Sequence, residues 1–165
     1  MESSAALSSC GCYRWNLSRK FDNSKKKLIF IGLNPSTANA DKNDATIRRI
    51  LKFASVWDFG SIVVINLFAR ISESPKLLRK CKDPIGNLND FELDKRISYW
   101  ANHPTCKLWL GWGVNGSFKN RDEVILKKIR LLGKKPFAID VTKRGYPRHP
   151  LYVSRNKVLE PYKIG

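Results

Sequence analysis

The stretch Lys27-Leu28-Ile29-Phe30-Ile31-Gly32-Leu33-Asn34-Pro35-Ser36 decides the fold. The apolar run Leu28 to Ile31 is short and is stopped by glycine, which predicts a buried strand ending at Gly32. An uninterrupted apolar strand has no polar face to turn to solvent, so it is covered on both faces, as the strands of parallel sheets are. Ile62-Val63-Val64-Ile65 repeats the pattern with β-branched residues, Cys106 to Trp112 gives a third core strand, and Phe137 to Val141 a fourth. Helical patterns lie between them. Asp44 is placed to cap a helix to about Val56, with Ile47, Ile50, Leu51 and Ala54 at helical spacing and Gly60 beyond its end. Ser74 to Lys82 reads as a short helix, and Asn89 to Ala101 as a longer one with a stripe of Leu93, Ile97 and Trp100. Asn120 with Glu123 forms an Asn version of the capping box for a helix through Leu132, stopped by Gly133.

Strands alternating with helices imply right-handed crossovers and a parallel sheet. The expectation is an α/β fold of three layers, α/β/α, around a four-stranded, mostly parallel central sheet. Tyr13 to Arg19 is expected as an edge strand. Residues 1–12, small and polar without periodicity, are expected as a flexible tail before a single domain spanning 13–165.

Composition narrows the function. The chain of 165 residues is 42% hydrophobic, enough for one core. No apolar run approaches the length of a membrane span, and Met1 to Cys12 lacks the basic start and apolar stretch of a secretory signal, so a cytoplasmic protein without a membrane partner is expected. Cys10, Cys12, Cys81 and Cys106 lack the paired spacing of zinc sites; reduced thiols, no metal and no cofactor are expected. The net charge is +17, from 31 Lys and Arg against 14 Asp and Glu. That balance favours a polyanionic partner such as nucleic acid, and no obligate protein partner is inferred. Solubility alone is the alternative reading of the charge. Lys127 to Lys135 fits the solvated face of a helix, whereas Lys143, Arg144 and Arg148 share a loop rich in Gly and Pro.

Ligands of parallel sheets bind beyond the carboxyl ends of the strands. Four segments fall there: Gly32-Leu33-Asn34-Pro35-Ser36, Asn66-Leu67-Phe68, Trp112-Gly113 and Arg148-His149-Pro150-Leu151-Tyr152. Three of them have a structural alternative. Gly-x-Asn-Pro also makes a tight turn, Asn66 also caps a strand, and His149 also serves as a structural hydrogen-bond donor. His103, in Asn102-His103-Pro104, reads as the end of a helix.

The chain resembles a known family at this point. Gly32-Leu33-Asn34-Pro35-Ser36-Thr37-Ala38, Asp44-x-Thr46-Ile47-Arg48-Arg49, Asn66-Leu67-Phe68, Asp83-Pro84-x-Gly86 and Pro147-Arg148-His149-Pro150-Leu151-Tyr152 look like domain of unknown function 1643, over about residues 13 to 160. That family brings no established activity. A more distant resemblance, to the uracil-DNA glycosylase superfamily, implies the same α/β/α order and a chemistry. Asn34 matches the Gly-x-Asn-Pro loop that positions the attacking water in mismatch-specific uracil and thymine glycosylases. Asn66 stands where an Asn reads the flipped base, and Leu108 to Gly113 resembles the later strand ending in Trp-Gly. His149-Pro150 resembles the final His-Pro loop. No aromatic follows Pro35, and on this resemblance Phe68 takes over stacking and Leu151 wedges into the duplex.

The chemistry suits these residue types. Cleaving a base from a sugar places positive charge on the sugar and negative charge on the departing base, so positioning and electrostatics suffice. Asn34 and His149 are the expected catalytic pair: Asn34 holds water, and His149 donates to the base oxygen. Gly32, Pro35, Ser36, Asp44, Asn66 and Phe68 are expected to bind substrate. Arg48, Arg49, Lys143, Arg144, Arg148 and Leu151 are expected to meet nucleic acid. Asp44 is a helix cap first, and Arg48 or Arg49 equally suits an exposed helix face. The expected function is a DNA glycosylase-like hydrolase acting on a modified or damaged base. The alternatives are an enzyme that binds or hydrolyses a free nucleotide and a non-catalytic nucleic-acid binder.

The charge makes a direct prediction. Affinity for DNA should fall steeply with salt, and Lys143→Glu with Arg144→Glu should weaken binding to unrelated DNA sequences alike, because phosphate contacts do not read bases. A salt titration of fluorescence anisotropy measures both; salt-independent binding would remove the polyanion reading.

Overall fold

The computed structural model describes residues 1–164. The strands in chain order are β1 (Glu2–Leu7), β2 (Arg14–Lys20), β3 (Lys27–Gly32), β4 (Ser61–Asn66), β5 (Cys106–Leu110), β6 (Phe137–Ala138) and β7 (Glu160–Pro161). The helices are α1 (Ala45–Val56), α2 (Pro75–Arg79), α3 (Asn89–Asn102) and α4 (Arg121–Leu131), with 3-10 segments at Val114–Asn120 and Pro150–Tyr152.

The sheet has seven strands rather than four, in the order β1-β2-β4-β3-β5-β6-β7. Its middle is parallel, β4-β3-β5-β6, while β1, β2 and β7 join antiparallel to their neighbours. The sequence pattern finds the buried strands because burial forces apolar runs; edge strands are held by backbone hydrogen bonds and need no such pattern. Glu2–Leu7, within the stretch expected as a loose tail, accordingly pairs with β2 along its whole length. β2 itself is not an edge, since β1 covers one side and β4 the other.

Alternate residues of the parallel strands enter two cores. Ile29, Ile31, Val63, Ile65, Leu108 and Leu110 pack with Leu93 and Ile97 of α3 and Ile125 and Ile129 of α4. Leu28, Phe30, Ile62, Val64 and Trp109 pack with Ile47, Ile50, Phe53 and Ala54 of α1. Helices therefore cover both faces. Trp109 centres the second core, with Phe30, Phe53 and Trp57 meeting it edge-on at ring centroid distances of 4.8, 5.7 and 5.3 Å. Such pairs contribute roughly 0.5–1.5 kcal/mol each beyond the area they bury.

Local chemistry sets the helix ends. The Asp44 carboxylate accepts from the Ile47 N–H and starts α1, as expected, and the Ser74 hydroxyl does the same for α2. The capping box at Asn120 does not form. Lys119 and Asn120 both adopt left-handed backbone rather than the extended backbone of a capping residue, and the Asn120 side chain makes no hydrogen bond to the first turn of α4. No helix among the described residues is long and apolar enough to cross a membrane.

Gly111 marks where the second core meets the strand ends. A methyl group there would overlap the Phe30 ring, lying 2.8 Å from its Cζ, while that ring is pinned against Trp109. Gly111→Ala should therefore lower stability by about 1–3 kcal/mol, the usual cost of overpacking. Urea unfolding measures it; an unchanged midpoint would mean that the ring has room to move.

Candidate functional site

The carboxyl ends of β3, β4 and β5 open into a cavity of about 610 Å³, within the range of small-molecule sites at roughly 300–1,000 Å³. Its wall brings together three of the strand-end loops and the segment after β6. Asn34, His149, Gly32, Pro35, Ser36, Asp44, Asn66, Arg148 and Leu151 all line it.

The first loop leaves β3 in a fixed shape. Both hydrogens of the Asn34 amide are used, Nδ2 donating to the Pro35 and Ser72 carbonyls at 2.9 Å each. Ser72 N–H donates in turn to Pro35 O, so the loop after β4 is stitched to the loop after β3. Asn34 therefore presents an acceptor oxygen, not a donor, to anything in the cavity. An amide oxygen holds a water but does not deprotonate it.

Asn66 closes β4 opposite Gly32. It is 4% exposed, and its Nδ2 has no hydrogen-bond partner. A Cβ at Gly32 would sit 2.8 Å from Asn66 Oδ1 and 3.0 Å from the Phe30 ring, so any side chain there would displace the Asn66 amide from its present position. Six buried side-chain nitrogen or oxygen atoms lack partners among the described residues, and three belong to the cavity wall: Asn66 Nδ2, Arg14 Nε and Trp112 Nε1. All three are donors. A buried donor left unpaired costs about 1–3 kcal/mol, so this wall suits a ligand rich in acceptors.

His149 precedes the turn Pro150–Tyr152 and accepts the Leu151 N–H at Nδ1, 3.2 Å away. Burial pushes its pKa down to about 4, against a smaller opposing pull from Asp44. The ring is thus neutral at pH 7, and with Nδ1 accepting, its proton is on Nε2. His149 is a neutral hydrogen-bond donor rather than an imidazolium acid.

Asp44 caps α1 with one oxygen and accepts the Ala38 N–H at 3.3 Å with the other. Arg14, at the start of β2, was not foreseen. It is 2% exposed, its Nη1 donates to Ala38 O at 2.9 Å, and burial lowers its pKa to about 10. Its only sequence signal is a position between Tyr13 and Trp15. Glu73, Thr37, Trp112 and Tyr152 are further wall residues outside the expected set.

Several expected residues lie elsewhere. Phe68 is fully buried against Phe118 and does not line the cavity, because its N–H follows the strand pairing onto Leu33 O and carries it into the α3–α4 core. The aromatic wall residues are Phe30, Trp112 and Tyr152. Arg48 and Arg49 turn from the cavity, donating to Asn43 O and Val153 O. Lys143 and Arg144 are exposed outside it, whereas Arg148 stays on the wall and pairs with Asp140 at 3.5 Å. His103 is exposed and stacks on Tyr99, as befits the end of α3.

Residues 14–151 match the model of the family described as Protein of unknown function (DUF1643), and the chain belongs to that family. No curated protein and no solved structure matches it.

The neutral His149 gives a pH prediction. With a folded pKa near 4 and an ordinary value of 6.5, the unfolded chain binds more protons between these values. Its contribution to stability should be complete above pH 6.5 and be lost as pH falls toward 4. The His149 ring resonance should stay flat from pH 8 to well below 6; an NMR midpoint near 6.5 would reject the buried neutral state. His149→Gln should flatten the stability slope over the same interval.

Proposed function

We propose that this member of the DUF1643 family is a DNA glycosylase-like enzyme that hydrolyses the bond between sugar and a modified or damaged base. The observation that carries this reading is the pairing, on one wall, of the unpartnered Asn66 amide with the neutral donor His149. Support for a uracil-DNA glycosylase-like arrangement comes from the parallel order β4-β3-β5-β6 with its cavity at the strand ends.

The base enters the cavity as a flipped nucleotide, its polar edge against Asn66. Asn34 Oδ1 holds the water. As the water oxygen bonds to the sugar C1′, the C1′–N bond breaks and its electron pair leaves with the base. His149 Nε2–H donates to the base oxygen that gains this charge, and needs no proton transfer to stabilise it. Asp44, fixed by two backbone N–H groups, faces the positive charge on the sugar. The water's proton passes to solvent, and the base anion recovers one there. Leu151 and the exposed Tyr152 at the mouth meet the duplex, with Lys143, Arg144 and Arg148 on its phosphates.

A free nucleotide is the second reading, favoured by one observation: Lys143 and Arg144 lie off the cavity, while buried Arg14 lies on it.

DNA carrying a panel of modified and deaminated bases is the test, scored for released base and abasic sites by mass spectrometry. Asn34→Ala and His149→Ala should each lower the chemical rate by roughly 10²-fold or more with DNA binding retained. Asn66→Asp replaces a donor by an acceptor and should change base choice more than DNA affinity. Activity surviving both alanine variants would reject the assigned pair, and an inactive wild type across the panel would favour the nucleotide reading.

A further inference from the structure

Arg14 poses a charge problem that the glycosylase reading does not use. A guanidinium this deep is ordinarily matched by a carboxylate, because an unpaired buried charge is costly. Among the described residues Arg14 makes no ion pair: Asp44 acts on it through space, while its two oxygens accept the N–H groups of Ile47 and Ala38 rather than the guanidinium. One nitrogen, Nη1, is satisfied by Ala38 O, and Nε has nothing. The Ala38 contact places the guanidinium beside the Ser36-Thr37 segment, and Arg14, Ser36 and Thr37 share the cavity wall. Arg148, the other arginine on that wall, is already paired with Asp140. Arg14 is thus a buried cation with no salt bridge and an unpaired Nε–H on the cavity wall.

We propose that Arg14, with the hydroxyls of Ser36 and Thr37, forms a phosphate subsite of the cavity. A phosphate offers charge and several acceptor oxygens to a planar donor fork and two hydroxyls, the match for which arginine is suited. The subsite rests on the base-binding reading only for what the phosphate is attached to, a nucleotide. The phosphate is either that of a free nucleotide or a backbone phosphate of DNA.

The Arg14 Nε–H resonance of ¹⁵N-labelled protein, assigned by its loss in Arg14→Lys, reports on the subsite directly. Inorganic phosphate should shift it saturably, and chloride at equal ionic strength should not. A nucleoside 5′-monophosphate should bind about tenfold to a hundredfold more weakly to Arg14→Gln than to wild type, and its nucleoside equally to both. Should Arg14→Gln fail to fold, Ser36→Ala with Thr37→Val serves in its place and should weaken the monophosphate by about tenfold. A short single-stranded oligonucleotide shifting the same resonance, with the monophosphate silent, assigns the phosphate to DNA; the reverse assigns it to free nucleotide. An Arg14 signal indifferent to all three phosphates, or phosphate affinity unchanged in the variants, overturns the subsite. These titrations need no base release, so a phosphate-responsive but inactive protein would retire the hydrolase and keep the subsite.

Discussion

Gly32 and Asn66 face each other at the last rung of the β3–β4 ladder, and the cavity depends on how closely they approach. Without a Cβ at Gly32, the Asn66 side chain lies against the β3 backbone above the Phe30 ring. The pairing then outlasts the strands: Leu67 N–H donates to Gly32 O and Phe68 N–H to Leu33 O, so both chains leave the sheet in register. Behind them Asn89 Nδ2 donates to the carbonyls of Asn66 and Leu67, and Arg121 Nε also donates to Leu67 O. These buried side chains occupy carbonyls that would otherwise be left open past the end of the sheet. The backbone at Asn66 is consequently held from both sides, while the side-chain Nδ2 stays buried without a hydrogen-bond partner.

Elements whose formation requires burial were legible in the sequence. β3, β4 and β5 are read from apolar runs, and α1 from Asp44 together with the spacing of Ile47, Ile50 and Ala54, all of them buried. Elements held by backbone alone were not. β1 is Glu-Ser-Ser-Ala-Ala-Leu, largely solvent-facing, and its pairing with β2 draws on amide groups that every residue carries. β6 shrinks to Phe137–Ala138 because only Phe137 pairs with β5, after which Asp140 accepts the Val141 and Arg148 N–H groups and bends the chain toward the cavity. Sequence pattern foresaw that bend only as the Gly-Pro-rich loop.

The cavity wall was legible where a polar residue type lies at or just past a strand end, as for Asn34 and Asn66, or in the loop after the last parallel strand, as for His149, and illegible where burial contradicts residue type. Phe68 is two residues past a strand end, as near the cavity in sequence as Asn66, yet one backbone hydrogen bond to Leu33 directs it into the core. Arg14 is the reverse case. Arginines are rarely buried, so one at the head of β2 reads as solvated. Arg19 on the same strand is buried too, but its guanidinium is absorbed by the Asn43 side chain and by the Ser18 and Asn39 carbonyls. Comparison of the two separates a structural buried arginine from one with unmet capacity, a distinction that exists only in three dimensions.

The two scales of positive charge then do different work. The surface excess, spread over Lys143, Arg144 and the other exposed lysines and arginines, is a field that does not discriminate among anions. Inside the cavity the same sign would be a liability if carried by every donor, because neighbouring cations repel in a medium that screens poorly. Burial removes this conflict at His149: the ring gives up its proton at ordinary pH yet keeps Nε2–H, so it donates without adding charge. Arg14 cannot make that concession, since even with its pKa lowered to about 10 it remains cationic at neutral pH. The wall is therefore mixed, with neutral donors at Asn66 and His149, a guanidinium without a salt bridge at Arg14, and the carboxylates of Asp44 and Glu73. Its unpaired donors call for acceptors, uncharged ones at Asn66 and an anionic one at Arg14, which is a narrower demand than the net charge of the chain makes.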